Sequence, residues 1–185
     1  MMFVSPLLIV YPMRRLFAAA LLATTFIAHC EAASWHDDLP NATMIGNGEL
    51  TWFGLKIYHA TLWSENKPFD PERSFALELT YQRSIKREQF VDVSIAEIRR
   101  LFGDRYGPNT LKRWEAELSQ AFVDVDAGDQ LTGVYLPGKG CRFYGRKDLI
   151  STIQDPELAS TFFAIWLDER TKESGLRKQL LGGTK

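Results

Sequence analysis

Apolar and polar positions along the chain follow two periods, and the switches between them mark the elements. Residues 49–63 are rich in β-branched and aromatic side chains and read as strand, or as two strands joined at Gly54. Period two puts Lys56, Tyr58, Ala60 and Leu62 on one face, and Leu55, Ile57, His59, Thr61 and Trp63 on the other. Both faces are largely apolar, so this strand is expected to be covered on both sides. Ahead of it, Gly46-Asn47-Gly48 reads as a turn. Two prolines make 66–71 a loop. Phe75, Leu77, Leu79 and Tyr81 then alternate with Ala76, Glu78, Thr80 and Gln82, which is a strand with one core face.

The period next changes to that of a helix. Val91, Ile95, Ile98 and Phe102 make an apolar stripe, so 86–102 is predicted helical, with Gly103 as its stop. Ser94 and Glu97 have the spacing of a capping box and suggest a break near Ser94. Leu111, Trp114, Leu118 and Phe122 repeat the stripe over 109–122. Residues 130–136 and 141–145 form a hairpin around Pro137-Gly138-Lys139-Gly140, and 147–153 adds a short strand. Pro156 opens a helix with the stripe Leu158, Phe162, Ile165 and Trp166, and a last helix covers 175–181. Strands, two helices, strands and two helices make an α+β domain: an antiparallel-rich sheet with helices packed on it.

The N-terminus belongs to a different class of segment. Arg14 and Arg15 precede thirteen uncharged, mostly apolar residues, Leu16 to Ala28. That run is shorter than the roughly 20 residues of a spanning helix and fits a secretory signal. Residues 1–32 are therefore expected to be a signal peptide cut after Ala32, with either Met1 or Met13 as the start, leaving a single domain over 33–185. Lipidation at Cys30 is disfavoured, because His29 occupies a place where a small residue is needed. The expected location is the periplasm or the exterior, with no stable membrane span after cleavage.

Removing the leader changes the charge and the cysteine count. The whole chain has 22 Lys+Arg and 23 Asp+Glu; the 153 remaining residues carry net −2. A near-neutral balance argues against a nucleic-acid partner. Cys141 is left alone, so no internal disulfide forms and the core stands unaided. It is expected to be a buried small hydrophobe.

Candidate chemistry is sparse. No serine sits in a Gly-x-Ser-x-Gly elbow, no Cys/His group has zinc spacing, and no glycine-rich phosphate loop precedes a helix. His59 reads as a core histidine, and His36-Asp37-Asp38 as solvated residues of a mobile N-terminal segment. Asp124, Asp126 and Asp129 read as an acidic turn, since glycine falls at the wrong place for a calcium loop. Arg83, Lys86 and Arg87 are matched by nearby acids on a solvated helix face. No metal and no cofactor is expected. What remains is a set of aromatics on a sheet beneath helices: either a filled core or an apolar pocket.

Three stretches carry a resemblance. They are Gly46-Asn-Gly-Glu-Leu-Thr-Trp-Phe-Gly-Leu-Lys-Ile-Tyr-His-Ala-Thr-Leu-Trp63, Leu79-Thr-Tyr-Gln-Arg-Ser-Ile-Lys-Arg-Glu-Gln-Phe90, and Gly128-Asp-Gln-Leu-Thr-Gly-Val-Tyr-Leu-Pro-Gly-Lys-Gly140. The last is continued by Phe163-Ala-Ile-Trp-Leu-Asp168 and Leu176-Arg-Lys-Gln-Leu-Leu-Gly182. In this order they resemble the short secreted bacterial branch of the chalcone isomerase-like superfamily. The resemblance implies an open-faced β-sandwich enclosing an apolar cleft.

The enzymes of that superfamily close a chalcone with an arginine, a threonine and a tyrosine. Their places fall here at Asn47, Phe53 and Phe90. Loss of the cation and both hydroxyls removes the electrostatic stabilisation that such chemistry needs. Non-catalytic members bind fatty acids. The resemblance therefore implies a non-catalytic binder of a small apolar or amphipathic ligand, fatty-acid-like or polyphenol-like. Lys56 and Tyr58, on one strand face by simple alternation, are the candidate ligand-binding pair, unless Lys56 snorkels outward. The rival readings are an intramolecular isomerase or lyase with a relocated site on those two residues, and a module for an unknown periplasmic protein partner.

Overall fold

A computed structural model describes residues 33–146 and 148–183. The expected leader and its cleavage after Ala32 lie outside the described residues, as does Lys147 at the start of the last expected strand.

Six strands form one sheet, each antiparallel to its neighbour and in chain order: β1 (Thr43–Trp52), β2 (Leu55–Ser64), β3 (Phe75–Tyr81), β4 (Gln130–Leu136), β5 (Gly140–Tyr144) and β6 (Leu149–Ile153). Helices α1 (Arg87–Phe102) and α2 (Pro108–Ala121) lie between β3 and β4 in the chain; α3 (Pro156–Leu167) and α4 (Ser174–Leu180) follow β6. This is the expected α+β architecture. Among the described residues no helix is long and apolar enough to cross a membrane.

The alternation in β3 decides which face the helices cover. Phe75, Leu77, Leu79 and Tyr81 join the main core with Val91, Ile95 and Ile98 of α1 and Leu158, Phe162 and Phe163 of α3. Helix α3 packs on β4 and β5, α4 on β1 and β2, and α2 on β6, whereas α1 leans chiefly on α2 and α3. Cys141 sits in this core, and burial pushes its thiol up to about 12, so it stays protonated and inert. Helix α1 is continuous through Ser94, which is buried, so the expected break does not occur. Val91, Ile95 and Ile98 keep one stripe against the core on both sides of that position, which favours an unbroken helix.

Two further expectations are corrected. Gly46-Asn47-Gly48 is not a turn but lies inside β1. These glycines serve close approach: a Cβ on Gly46 would lie 2.7 Å from the Leu180 carbonyl oxygen at the end of α4. The segment before β1 is not a solvated tail. Trp35 and Leu39 are buried against Ala76, Val134 and Tyr144 on the opposite face of the sheet, and Trp35 meets Trp63 there. Asp38 fastens the segment, accepting hydrogen bonds from Arg142 at 2.5 Å and the Tyr144 hydroxyl at 2.6 Å. Only part of the second face of β2 is covered in this way: Thr61 is buried and His59 half-buried.

The acidic turn is used structurally. Asp124 accepts the Arg87 backbone N–H and the Lys86 ammonium at the start of α1, and Asp126 accepts from Ser84. Asp129 accepts the backbone N–H of Asp126. Each carboxylate closes a turn or a helix end, the usual work of aspartates at such places.

Candidate functional site

The hairpin β1–β2 is bulged, and the bulge shapes the site. Leu50 pairs with Tyr58 but Thr51 pairs with Lys56, so Ile57 is an extra residue on β2. The alternation resets at that point. Leu55, Ile57 and Tyr58 all line the space under the helices. Lys56 does not; it is exposed and binds Glu49 at 2.8 Å. Lys56 and Tyr58, joined on one face by simple alternation, are therefore separated by the bulge, and only the tyrosine reaches the interior.

That interior is a cavity of about 730 Å³ between the sheet, α1 and α3. Its size lies within the range of small-molecule sites, roughly 300–1,000 Å³. Helix α1 packs chiefly on α2 and α3, and the space lies between it, α3 and the strands. Leu77, Leu79 and Phe143 line it from the sheet, Phe162 and Trp166 from α3, and Phe90 from α1. Gly133 also lines it, and a Cβ there would press on Phe163 at 3.0 Å and Phe143 at 3.1 Å. A second hollow of about 400 Å³ opens among polar loop residues such as Glu65, Asn66, Glu72 and Arg73, away from this interior.

Among the polar groups in the lining, a pair of tyrosines and a charged cluster stand out. Tyr58 and Tyr81 face each other across β2 and β3, with ring centroids 5.9 Å apart and edge to face. The Trp166 indole N–H donates to the Tyr58 hydroxyl at 2.8 Å. Burial pushes both phenols far up; for Tyr58 the Trp166 bond opposes this in part and the charge of Glu173 adds to it, and for Tyr81 the neighbouring Tyr58 adds to it. Both hydroxyls are neutral donors at ordinary pH. In the charged cluster, Glu97 is held by Arg100 at 2.7 Å and by Lys172. Burial would raise its carboxyl, but those two cations outweigh it and keep it below the usual carboxylate range. Glu173, next to Lys172 in the chain, and Arg83, just after β3, also line the cavity, and both are exposed.

The remaining sequence candidates are scattered. Phe90 lines the cavity, packed on Tyr81 and Phe122. Phe53 stands at the tip of the β1–β2 hairpin, 87% exposed, with Trp52 and Leu55 beside it. Asn47 is exposed on β1 with its amide near the Met44 sulfur. Asn47, Phe53 and Phe90 thus do not converge. Sequence reasoning missed Tyr81, Trp166 and Gly133 as site residues. The available signal was the core face of β3 and the stripe of α3, which say that a side chain points inward but not that space remains there.

A family model described as chalcone isomerase-like matches residues 43–182. The chain belongs to the chalcone isomerase-like family. No curated protein sequence matches it. Among solved structures, this chalcone isomerase-like domain is similar to a fatty-acid binding protein of Arabidopsis thaliana, with a TM-score of 0.57 and 10% identity. The match covers 76% of this chain and 87% of that one. At such low identity the likeness concerns the fold.

Proposed function

We propose that this chalcone isomerase-like domain is a non-catalytic binding protein for a small apolar or amphipathic ligand, fatty-acid-like or polyphenol-like, held between the sheet and helices α1 and α3. The carrying observation is the 730 Å³ cavity walled by Leu77, Leu79, Phe90, Phe143 and Phe162. The likeness to a fatty-acid binding protein supports the same reading. Isomerase chemistry is disfavoured. The relocated site would need a cation beside Tyr58, and Lys56 lies outside the cavity, bound to Glu49. A partner-binding role draws on the exposed apolar tip formed by Trp52, Phe53 and Leu55.

The reading includes export on a leader cut after Ala32, so the ligand would be met in the periplasm or outside the cell. Native mass spectrometry of protein purified without detergent tests the binding role. A population carrying a small-molecule mass, exchangeable for fatty acid or flavonoid, is expected. A uniformly empty protein that rejects both would contradict it.

A further inference from the structure

The polar wall of the cavity has an unusual composition. Indole is a donor only, so the Tyr58 oxygen receives the Trp166 hydrogen and the Tyr58 hydrogen stays free to donate. Tyr81 is 1% exposed, lines the same cavity, and its hydroxyl has no hydrogen-bond partner among the described residues. A buried hydroxyl without a partner is costly, and a ligand oxygen would relieve that cost. The charged groups lining the cavity offer an anion no buried cation. Glu173 and Glu97 line the cavity, Lys172 is already paired with Glu97, and Arg83 is exposed.

We propose that Tyr58 and Tyr81 form an uncharged anchor for a neutral acceptor oxygen, so that the cavity takes an apolar molecule ending in a ketone, an ester or an undissociated acid in preference to a carboxylate. The proposal rests on the cavity reading above and sharpens it to a ligand class. The site offers the two phenol donors, with the buried Ser94 hydroxyl of α1 also in its lining, and no unpaired buried cation among the described residues. A neutral carbonyl needs only donors; a carboxylate would also bring a charge into an apolar space without a counter-ion.

Tryptophan-emission titrations test this, since Trp52 and Trp166 both line the cavity. The probes are decan-2-one, decanoate at pH 8 and butylbenzene, which has no oxygen. Wild-type protein is expected to bind decan-2-one at least about fivefold more tightly than decanoate, roughly the worth of one good hydrogen bond. Tyr58→Phe and Tyr81→Phe should each weaken decan-2-one by about fivefold and leave butylbenzene unchanged. Tyr81→Phe should also melt no lower than wild type without ligand, because it deletes an unpaired hydroxyl. Tighter decanoate than decan-2-one, or ketone binding insensitive to both substitutions, would overturn the anchor while butylbenzene binding upheld the cavity. Failure of all three probes on wild-type protein would remove the cavity reading and the anchor together.

Discussion

Gly46 illustrates how a single position carries the packing of a whole helix. Its backbone is ordinary strand, yet a Cβ would meet the Leu180 carbonyl oxygen and the Gly182 nitrogen at 2.7 and 2.8 Å. Neither backbone atom can rotate away. Gly46→Ala is therefore expected to destabilise by about 1–3 kcal/mol, the usual penalty of overpacking. Urea unfolding followed by circular dichroism checks this; an unchanged midpoint would mean that α4 docks elsewhere. Read as sequence, Gly-Asn-Gly suggests a turn, because local propensity carries no knowledge of a helix end arriving from far later in the chain. The placing of Lys56 and Tyr58 on one face fails for a related reason. Strict alternation assigns them one face, and one extra residue, Ile57, undoes the assignment. Tyr81 was legible as a core residue, but its lack of a partner was not.

At the scale of elements, helices α1 and α3 and strands β3 to β5 were legible because their apolar periods are clean and Gly103, the Pro137-Gly138 turn and Pro156 mark several of their ends. The end of α3 that enters the core is held by one carboxylate. Asp155 accepts the backbone N–H groups of Glu157 and Leu158, the Trp114 indole at 2.9 Å and Arg113 at 3.1 Å. Burial alone would raise this carboxyl, but those donors outweigh it and hold it below the usual range. A carboxyl lowered in the folded state stabilises above its unfolded value, near 4. That stability is lost as pH falls through the unfolded value towards the lowered folded one. Asp155→Ala should cost about 1–2 kcal/mol at pH 7 and less at pH 3, measured by urea melts at both. An equal loss at both would show that the charge does not matter. The hairpin tip goes the other way. Phe53 has φ 47°, and Gly54 φ 76°. Left-handed backbone is costly for a bulky side chain, so Phe53→Asn should raise stability by about 1 kcal/mol. A lower melting temperature would imply that the exposed ring makes a contact worth more than its strain.

For the molecule as a whole, the fold follows from one sheet with two unequal faces. Helices cover one face; Trp35 and Leu39 cover part of the other, fastened through Asp38. That docked segment escaped sequence reading because its apolar residues are few and lack a period, and only the sheet supplies their partners. The cavity escaped for a deeper reason: hydrophobic patterning marks which side chains face inward, not whether space remains beside them. Here Phe90, Phe143 and Phe162 line one space of about 730 Å³ without filling it. The most direct test is a crystal structure of the protein grown with decan-2-one. One ligand is expected between the sheet, α1 and α3, its chain among those phenylalanines and its oxygen beside Tyr58. A space filled by side chains, or ligand found only outside it, would contradict a binding role for this interior.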